Sequence, residues 1–346
     1  MGGRFDGILG VLSALEVIRT LRERGVSLTR PLVAIDWTNE EGARFPAMCT
    51  GSSVWAGTKS QEGLHELASL TEDGITMRRE LERLKFLGEI PSSHKAIPLA
   101  AHFELHIEQA KRLERESKRV GVVTGIQGMR WYTVVIHGNE GHAGSTPMQD
   151  RQDALVAASK LVLEVEKEAK RVNGFGTVGF LKPRSDSTNT IIGEVRLAID
   201  LRHPSESVLD EVEANFRQIL KGLESETIGI SSEFTRTWES EAVIFDAEAV
   251  DCVREAAAIV AGKDSCLTMY SCAGHDSAET ARVIPTAMIF VPSKNGISHN
   301  PAEFTSQDQC VLEHETEADL SKYSADGAQT LLEAVLAYDK LLAARA

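Results

Sequence analysis

Two adjacent carboxylates, Glu40 and Glu41, follow a short apolar run and are the residues best suited to chemistry in this sequence. The run over residues 31–39 is typical of a strand buried on both faces, and parallel α/β sheets place their chemistry where such strands end. Neighbouring carboxylates repel each other unless a positive charge lies beside them. In a metal hydrolase one ligates the cation while the other takes a proton from the bound water. The alternative is a solvated loop, because Glu pairs are common on surfaces.

Candidate metal ligands occur at four positions: Asp6, Glu41, His106 and His299. Imidazole and carboxylate groups are the ligands that borderline divalent cations prefer, and two-metal sites share a bridging carboxylate. Each candidate lies near the end of a predicted helix or strand. None has a tight spacing such as His-x-x-x-His, so each one alone is equally consistent with a structural or surface residue. Spacing by itself therefore allows a metal site without requiring one.

Length and composition restrict the class of protein. The 346 residues are enough for two domains with a sizeable core, and the net charge of −14 argues against nonspecific binding to nucleic acid or anionic membranes. No stretch approaches the ~18 uncharged apolar residues of a membrane helix. Five cysteines without a Cys-x-x-Cys pair indicate free thiols, and the N-terminus is unlike a signal peptide. We therefore expect a cytoplasmic protein that binds neither nucleic acid nor membranes.

The opening of the chain alternates helical and strand patterns. Apolar residues at three- and four-residue spacing predict a helix over 8–24, ended by Gly25, and the strand over 31–39 follows. A polar helix is predicted over 75–87, and alternating polarity predicts a strand over 102–109, followed by a charged helix that ends at Arg119. Three glycines in residues 121–128 predict a hinge.

After the hinge the pattern becomes β-α-β-β-α-β, the order of a ferredoxin-like unit. Its predicted strands and helices are 131–136, 150–172, 177–180, 193–201, 207–223 and 228–238. The α/β pattern then resumes, with elements predicted at 248–261, 287–291 and 322–344. We therefore expect an α/β protein of two domains. A mostly parallel catalytic domain (1–124 and 241–346) is interrupted by a ferredoxin-like α+β lid and dimerisation domain (125–240), with a small-molecule site in the cleft between them.

Six motifs then become recognisable along the chain: Gly-Arg-Phe-Asp-Gly, Thr-Asn-Glu-Glu-Gly-Ala-Arg-Phe, Glu-Leu-His-Ile-Glu-Gln, Gly-His-Ala-Gly-Ser-Thr-Pro-Met, Ala-Gly-His-Asp and Gly-Ile-Ser-His-Asn-Pro-Ala-Glu. Together they resemble the hydantoinase/carbamoylase amidases of the M20 metallopeptidase superfamily. That group includes N-carbamoyl-L-amino-acid hydrolases, β-ureidopropionases and allantoate amidohydrolases. The resemblance extends over essentially the whole chain and is specific for the family, although not for one substrate.

The resemblance implies a site with two divalent cations per subunit, of zinc, manganese, cobalt or nickel. Asp6 matches the bridging carboxylate, and Glu41 and His299 match the other protein ligands of one metal. His106 matches a ligand of the second metal. Glu40 matches the general base that activates water.

The inserted domain matches the family in residues that would face the substrate. His142 resembles the oxyanion stabiliser, which reaches the site from the partner subunit of a homodimer. Asn189 and Arg202 match the clamp on the substrate carboxylate, for which a guanidinium is suited. In the catalytic domain, Gln109 resembles a substrate-binding amide, and His275 in the Gly-His-Asp motif is expected near the substrate without a definite step.

One departure from the family is expected to matter. Family members carry a Ser-His-x-Asp segment before the bridging Asp, and its His ligates the same metal as His106. Only five residues precede Asp6. The sequence is therefore expected to be N-terminally truncated, to lack that ligand, and to hold two cations or only one.

The leading hypothesis is a metal-dependent amidohydrolase that cleaves the C–N bond of a linear amide or ureide. The favoured substrate is an N-carbamoyl-L-amino acid, which would give the amino acid, ammonia and carbon dioxide. One alternative is an aminoacylase or dipeptidase of the same superfamily. The other is a catalytically impaired, dimeric, metal-binding paralogue, suggested by the absent ligand.

Overall fold

The computed structural model describes residues 3–306 and 326–345. The chain divides into two compact units, of which unit 1 comprises Met1–Ile126 and Ile244–Ala346 and unit 2 comprises Gln127–Val243. The first four residues of the helix expected over 322–344 lie outside the described residues. Among the described residues, no helix combines the length and apolar character needed to cross a bilayer.

Helices occur in both units, and their bounds are α1 Ile8–Glu23, α2 Thr50–Ala56, α3 Gln61–His65, α4 Met77–Leu84, α5 Arg112–Arg115, α6 Ala154–Arg171, α7 Glu206–Glu226, α8 Ala247–Ala261, α9 Asp276–Thr280 and α10 Asp326–Ala343. Single 3₁₀ turns lie at Met148–Asp150, Lys263–Ser265 and Lys294–Gly296. The prediction for α1 is confirmed, since Leu9, Val17 and Leu21 are buried on one face. Gly25, just after the end of α1, adopts φ +64°, the left-handed conformation in which glycine carries no steric cost.

The strands are β1 His102–Ile107, β2 Val120–Ile126, β3 Gly128–His137, β4 Gly141–His142, β5 Phe175–Pro183, β6 Thr190–Ile191, β7 Glu194–His203, β8 Ser231–Ser240, β9 Val243–Ile244, β10 Cys266–Ser271 and β11 Thr286–Val291. In unit 1 they form a mixed sheet in the order β1-β11-β2-β10, with β9 beside β2. The β1–β11 and β2–β10 pairs are parallel, whereas β11 and β2 are antiparallel. Every residue of β11 is buried, and α8 and α10 pack together beside the sheet.

The strand predicted over 31–39 is wrong. This segment contains no strand, and the side chains of Leu32 and Val33 are 36% and 56% exposed. A strand requires a neighbour to satisfy its backbone groups, and among the described residues nothing pairs with residues 31–37. Strand β1 is an edge of the sheet, and residues 31–37 do not pair with it in the described structure. The apolar run therefore lines a cavity instead of entering the sheet.

The segment 121–128, predicted as a hinge, forms the buried strand β2 as far as Ile126, and the boundary between the two units falls at the end of that strand, between Ile126 and Gln127. A Cβ atom at Gly121 would lie 2.9 Å from both Met269 and Phe290. This glycine therefore permits close packing of neighbouring strands. The charged helix expected to end at Arg119 is reduced to the four residues of α5.

Unit 2 contains an antiparallel sheet of four long strands in the order β5-β7-β3-β8. With α6 and α7 between the strands in sequence, this is the arrangement of a ferredoxin-like unit. Inward residues of the sheet and of both helices form one core, exemplified by Tyr132, Leu161, Leu197 and Phe216. The short strands β4 and β6 form a separate pair, and His142 is the second residue of β4.

Candidate metal centre and active site

Asp6 lies between two imidazoles in unit 1. Its Oδ1 atom is 3.1 Å from Nε2 of His106, and its Oδ2 atom is 3.2 Å from Nε2 of His299. Nε2 of His299 is also 3.4 Å from Oε1 of Glu41. Asp6 precedes α1, His106 lies on β1, and Glu41 and His299 belong to loops. The fold thus assembles all four predicted metal ligands from distant parts of the chain.

The geometry of this cluster fits a divalent cation. Two ligands bound to zinc at about 2.0–2.1 Å with tetrahedral angles lie about 3.3–3.4 Å apart. The three N···O separations of 3.1, 3.2 and 3.4 Å match that spacing. Nδ1 of His106 donates to the Ile107 carbonyl at 2.9 Å, so Nε2 is the ring nitrogen that faces Asp6. Asp6, Glu41 and His299 therefore form one candidate cation site.

The charges around Asp6 also indicate a cation. Burial opposes ionisation of Asp6, but the hydrogen bond and charge of His106 outweigh it and lower the pKa of Asp6 to about 2. Burial likewise opposes protonation of His106, yet its bond to Asp6 and the charge of Glu104 raise its pKa to about 9. In this structure the protonated ring of His106 supplies the positive charge beside Asp6 that a metal ion would otherwise supply.

Glu40 is half-buried beside this cluster. Burial, followed by the charges of Glu41 and Glu104, raises the pKa of Glu40 to about 7. Its backbone carbonyl accepts the N–H of Cys49 at 2.8 Å, and the Cys49 thiol lies 3.7 Å from its Oε1. Asn39, which precedes it with φ +56°, donates to the Phe45 carbonyl at 3.1 Å. This loop fixes a carboxylate with the proton affinity that a general base or acid needs near neutral pH.

Gln109 also reaches the cluster. Its side-chain amide donates to Oδ2 of Asp6 at 2.9 Å and to Oγ of Ser298 at 2.9 Å, and the Ser298 hydroxyl donates to the same Asp6 oxygen at 3.0 Å. The residue adopts φ +58°, a conformation that is uncommon for non-glycine residues. The structure therefore places Gln109 against Asp6.

His275, the residue before α9, packs against the site with its ring 4.5 Å from that of His106 at an interplanar angle of 65°. Burial and the charge of His106 lower the pKa of His275 to about 3, so the ring is neutral. The adjacent Asp276 accepts a hydrogen bond from Ser52. Burial and the charge of Glu104 raise the pKa of Asp276 to about 8.

A cavity of about 1060 Å³ adjoins these residues within unit 1. Its polar lining includes Asp6, Glu40 and His106, and its apolar lining includes Val11 and Leu32. Large concave sites that combine apolar walls with a few polar groups are typical small-molecule sites.

His142, in unit 2, is held by its own loop. It pairs with Thr190 across β4 and β6, and the next residue, Ala143, donates its N–H to the Asn189 carbonyl at 2.8 Å. The N–H of Gly144 donates to Nδ1 of His142 at 3.1 Å. Because Nδ1 accepts, the neutral ring carries its proton on Nε2, where the exposed side chain presents it as a donor.

Arg202 and Asn189 lie at different ends of unit 2. Asn189 precedes β6, close to the start of β7, whereas Arg202 lies near the end of β7. The nine residues from Glu194 to Arg202, eight steps along the strand, span roughly 26 Å. Nε and Nη2 of Arg202 bind the two carboxylate oxygens of Asp200 at 2.9 and 2.8 Å. One copy of unit 2 therefore cannot bring Asn189 and Arg202 to a single small carboxylate.

Comparison with known proteins supports the same chemistry. Residues 1–321 match the model of peptidase family M20/M25/M40. The chain is 36% identical over 340 residues to an N-carbamoyl-L-amino-acid amidohydrolase of Rhizobium meliloti, covering 97% of this chain and 76% of that protein. The chain belongs to peptidase family M20/M25/M40.

Other relatives of this M20 protein agree. An allantoate amidohydrolase of Bacillus subtilis strain 168 is 32% identical, covering 90% of this chain and 75% of the relative. The crystal structure of a hydantoinase/carbamoylase family amidase from Burkholderia multivorans superimposes with a TM-score of 0.87 at 39% identity, covering 97% of this chain and 77% of that one. The predicted family is confirmed, and so is the prediction, at family level, of a metal-dependent hydrolase of non-peptide C–N bonds.

Sequence reasoning missed two carboxylates of the M20 site. Oε1 of Glu303 accepts the N–H groups of Phe5 and Asp6 at 2.7 and 3.0 Å, and its Oε2 accepts that of His299 at 3.2 Å. Glu303, only 1% exposed, thereby joins the segments that carry two predicted ligands. The second missed carboxylate, Glu104, lies two residues before His106 on the same face of β1. Both belong to quoted motifs, but their partners are distant in sequence.

Proposed function

We propose that this protein is an amidohydrolase that cleaves the carbamoyl C–N bond of N-carbamoyl-L-amino acids. The observation that carries the proposal is the position of Glu40, a half-buried carboxylate of raised pKa beside the cation-fitting Asp6–Glu41–His299 group. The names of the relatives support the carbamoyl substrate. The products would be the amino acid, ammonia and carbon dioxide.

The residues divide the chemistry among them. Glu40 removes a proton from the attacking water and returns it to the leaving nitrogen, so that one C–O bond forms as the C–N bond breaks. Nε2–H of His142 donates to the oxygen on which negative charge develops. Arg202 and Asn189 hold the substrate carboxylate. Divalent cations held by Asp6, Glu41, His299 and His106, when bound, supply Lewis-acid polarisation and lower the pKa of water.

The cation is proposed to be zinc, manganese, cobalt or nickel, because mixed imidazole and carboxylate sites suit these ions. Three described cysteines are free thiols, namely Cys49, Cys252 and Cys266. Free thiols are typical of reducing compartments, which supports a cytoplasmic location.

We also propose that the working form is a homodimer in which each site uses both subunits. The separation of Asn189 from Arg202 along β7 supports this, since one copy cannot bring both to one carboxylate. The strand β5 is an edge of its sheet and exposes Phe180 and Leu181. Pairing two β5 edges about a two-fold axis reverses the strand direction in the second copy. The end of β7 that carries Arg202 would then lie level with the partner's end that carries His142 and Asn189.

The substrate is tested by measuring ammonia release from N-carbamoyl-L-amino acids. N-acetyl amino acids and dipeptides are assayed as alternative substrates, by the release of free amino acid. We expect turnover of the carbamoyl compounds in the presence of a divalent cation. Release of free amino acid from the acetyl or peptide substrates alone would identify an aminoacylase or a dipeptidase. Binding of cations with turnover of none of these compounds would contradict the hydrolase.

Mixing two inactive variants tests the shared site. In Glu40→Gln the base is lost, and in His142→Ala the oxyanion donor is lost. If His142 acts on the partner's site, mixed dimers contain one intact site, and an equimolar mixture regains about a quarter of the wild-type activity. Each variant mixed with itself is the control. No recovery after subunit exchange would place His142 and Glu40 of one site on the same chain.

A further inference from the structure

A buried cysteine lies beside the proposed general base. Cys49 is 7% exposed, and its Sγ atom is 3.7 Å from Oε1 of Glu40, a distance at which the larger sulfur atom can donate a hydrogen bond. Within residues 3–306 and 326–345, no other group donates a hydrogen bond to the carboxylate of Glu40. The nearby charges of Glu41 and Glu104 repel it. The thiol is therefore the described group that fixes this carboxylate through a hydrogen bond.

This thiol is a proton donor and not a nucleophile. Burial, followed by the charges of Asp276 and Glu40, raises the pKa of Cys49 above the ordinary value of a thiol. The group therefore keeps its proton at neutral pH, whereas reactive cysteines are thiolates. An ionised carboxylate can only accept hydrogen bonds. The proton between Sγ and Oε1 consequently belongs to sulfur whenever Glu40 is ready to act as a base.

Three consecutive backbone hydrogen bonds hold Cys49 against the loop of Glu40. The N–H groups of residues 49, 50 and 51 donate to the carbonyls of residues 40, 39 and 38, at 2.8, 3.5 and 3.0 Å respectively. Cys49 precedes α2 with φ +51°, a conformation that is uncommon for non-glycine residues, and its carbonyl accepts the N–H of Ser53 at 2.9 Å. The thiol thus extends from a backbone that is fixed on both sides.

Side chains join the same two segments. The side-chain amide of Asn39, the residue before Glu40, donates to the Ala47 carbonyl at 2.9 Å and to Oγ1 of Thr50 at 2.8 Å. The Thr50 hydroxyl in turn donates to the Ala47 carbonyl at 2.8 Å. The neighbours of the base and the neighbours of the cysteine are therefore linked directly, so the distance between the thiol and the carboxylate is set by this loop.

We propose that Cys49 is a positioning residue, whose thiol holds Oε1 of Glu40 so that the other carboxylate oxygen is directed at the attacking water. A misplacement of about 1 Å can cost a catalytic group about 10²-fold in rate, so a base surrounded by repelling carboxylates benefits from a fixed contact. The inference rests on the proposed function, because it takes Glu40 as the base. The thiol itself touches neither the water nor the substrate.

Steady-state kinetics of matched variants test the positioning role. Cys49→Ala should lower kcat for the carbamoyl substrate by about 3–10-fold, the value of one modest hydrogen bond, and should leave KM unchanged. Cys49→Ser restores a donor and should return kcat to within about twofold of the wild-type value. Cys252→Ala is the matched control, since Cys252 is also a buried thiol but lies in α8, and it should change neither constant.

Infrared spectroscopy tests the contact without any turnover. The S–H stretching band that disappears in Cys49→Ala identifies this thiol, and a donated hydrogen bond lowers the frequency of the band relative to a free thiol. Glu40→Leu removes the acceptor, so the Cys49 band should move to higher frequency in that variant. A free-thiol frequency in the wild-type protein, or a band that does not respond to Glu40→Leu, would overturn the proposal whether or not the protein is active.

The kinetic outcomes separate this inference from the proposed function. Loss of turnover in Glu40→Gln with wild-type kcat in Cys49→Ala would overturn the role of Cys49 and leave the hydrolase standing. Equal losses in Cys49→Ala and Cys49→Ser would also overturn it, because they would show that the site requires the volume of sulfur and not a donor. Absence of turnover in the wild-type protein, with the Cys49 band shifted by Glu40→Leu, would count against the proposed function instead.

Discussion

Unit 1 and unit 2 each contain a cluster of carboxylates, and the two clusters are neutralised differently. In unit 2, Arg130 is only 4% exposed and pairs with Glu206 and Asp210, each at 2.8 Å. Glu213 in the same network pairs with Arg217 at 2.8 Å. In unit 1, among the described residues, the ion pairs that reach Asp6, Glu41 and Glu104 all come from imidazoles.

The two clusters also differ in how the pKa values of their carboxylates are shifted. Although burial opposes ionisation of Glu213, hydrogen bonds from Arg217 and Arg236 lower its pKa. Burial and neighbouring carboxylates instead raise the pKa of Glu40 to about 7. Guanidinium groups remain charged at every accessible pH, whereas imidazoles can give way to a metal ion. The carboxylates of unit 2 are therefore neutralised by guanidinium groups in a structural network, and those of unit 1 are arranged for a cation and for proton transfer.

The largest expected effect follows from replacing the base. Glu40→Gln should lower kcat for the carbamoyl substrate by about 10²–10⁴-fold, because the amide cannot accept the proton of water. Stability should not fall, since the substitution removes one of several repelling carboxylates. Steady-state ammonia release and thermal unfolding are the measurements. Parental turnover by this variant would remove Glu40 from the mechanism.

Replacing His142 tests whether unit 2 contributes a catalytic group or only structure. His142→Ala should lower kcat by about 10²–10³-fold with a much smaller change in KM, because the ring donates to charge that develops in the transition state. His137→Ala is a suitable control, since that imidazole in the same unit pairs with Glu233 at 3.2 Å. Equal losses in the two variants would show that any disturbance of this unit impairs activity.

Glu213→Gln should affect stability rather than chemistry. We expect a loss of about 1–3 kcal/mol at pH 7, since charge-assisted bonds to Arg217 and Arg236 are removed from a mostly buried position. The pKa of Glu213 is lower in the folded than in the unfolded state, so its contribution is present above the unfolded pKa of about 4.3 and is lost as pH falls through the folded value. Urea unfolding at pH 7 and at pH 3 measures both. A deficit independent of pH would contradict the assigned cause.

The smallest effect is expected for a residue that positions His142. Arg151 donates to the Ala143 carbonyl at 2.6 Å and to the Thr146 carbonyl at 3.2 Å, and so braces the loop. Arg151→Met should lower kcat by about tenfold, which corresponds to about 1.4 kcal/mol. Added guanidinium ion should restore part of the rate in this variant but not in His142→Ala. Absence of rescue in both would indicate that Arg151 acts only on stability.

Much of unit 2 was predictable because its patterns are local. The alternation of Val195, Leu197 and Ile199 predicts β7, and the spacing of apolar residues predicts α6 and α7, all of which the structure contains. In each case one face of the element is buried, which imposes its period on the sequence. The segment 31–39 shows the limit of such patterns. An apolar run becomes a strand only if a neighbour pairs with it, and no local signal reports the neighbour.

Residue identity alone determined the chemistry available to this protein: the pair Glu40 and Glu41, the histidines, and motifs specific enough to indicate a metal-dependent amidohydrolase. Only the tertiary structure decided which of these groups meet. It placed Asp6 between His106 and His299, brought the unforeseen Glu104 and Glu303 to the site, and set Asn189 and Arg202 near opposite ends of β7. The physical reason is that ligation and proton transfer depend on distances of a few ångströms, which are set by packing between segments far apart in the chain.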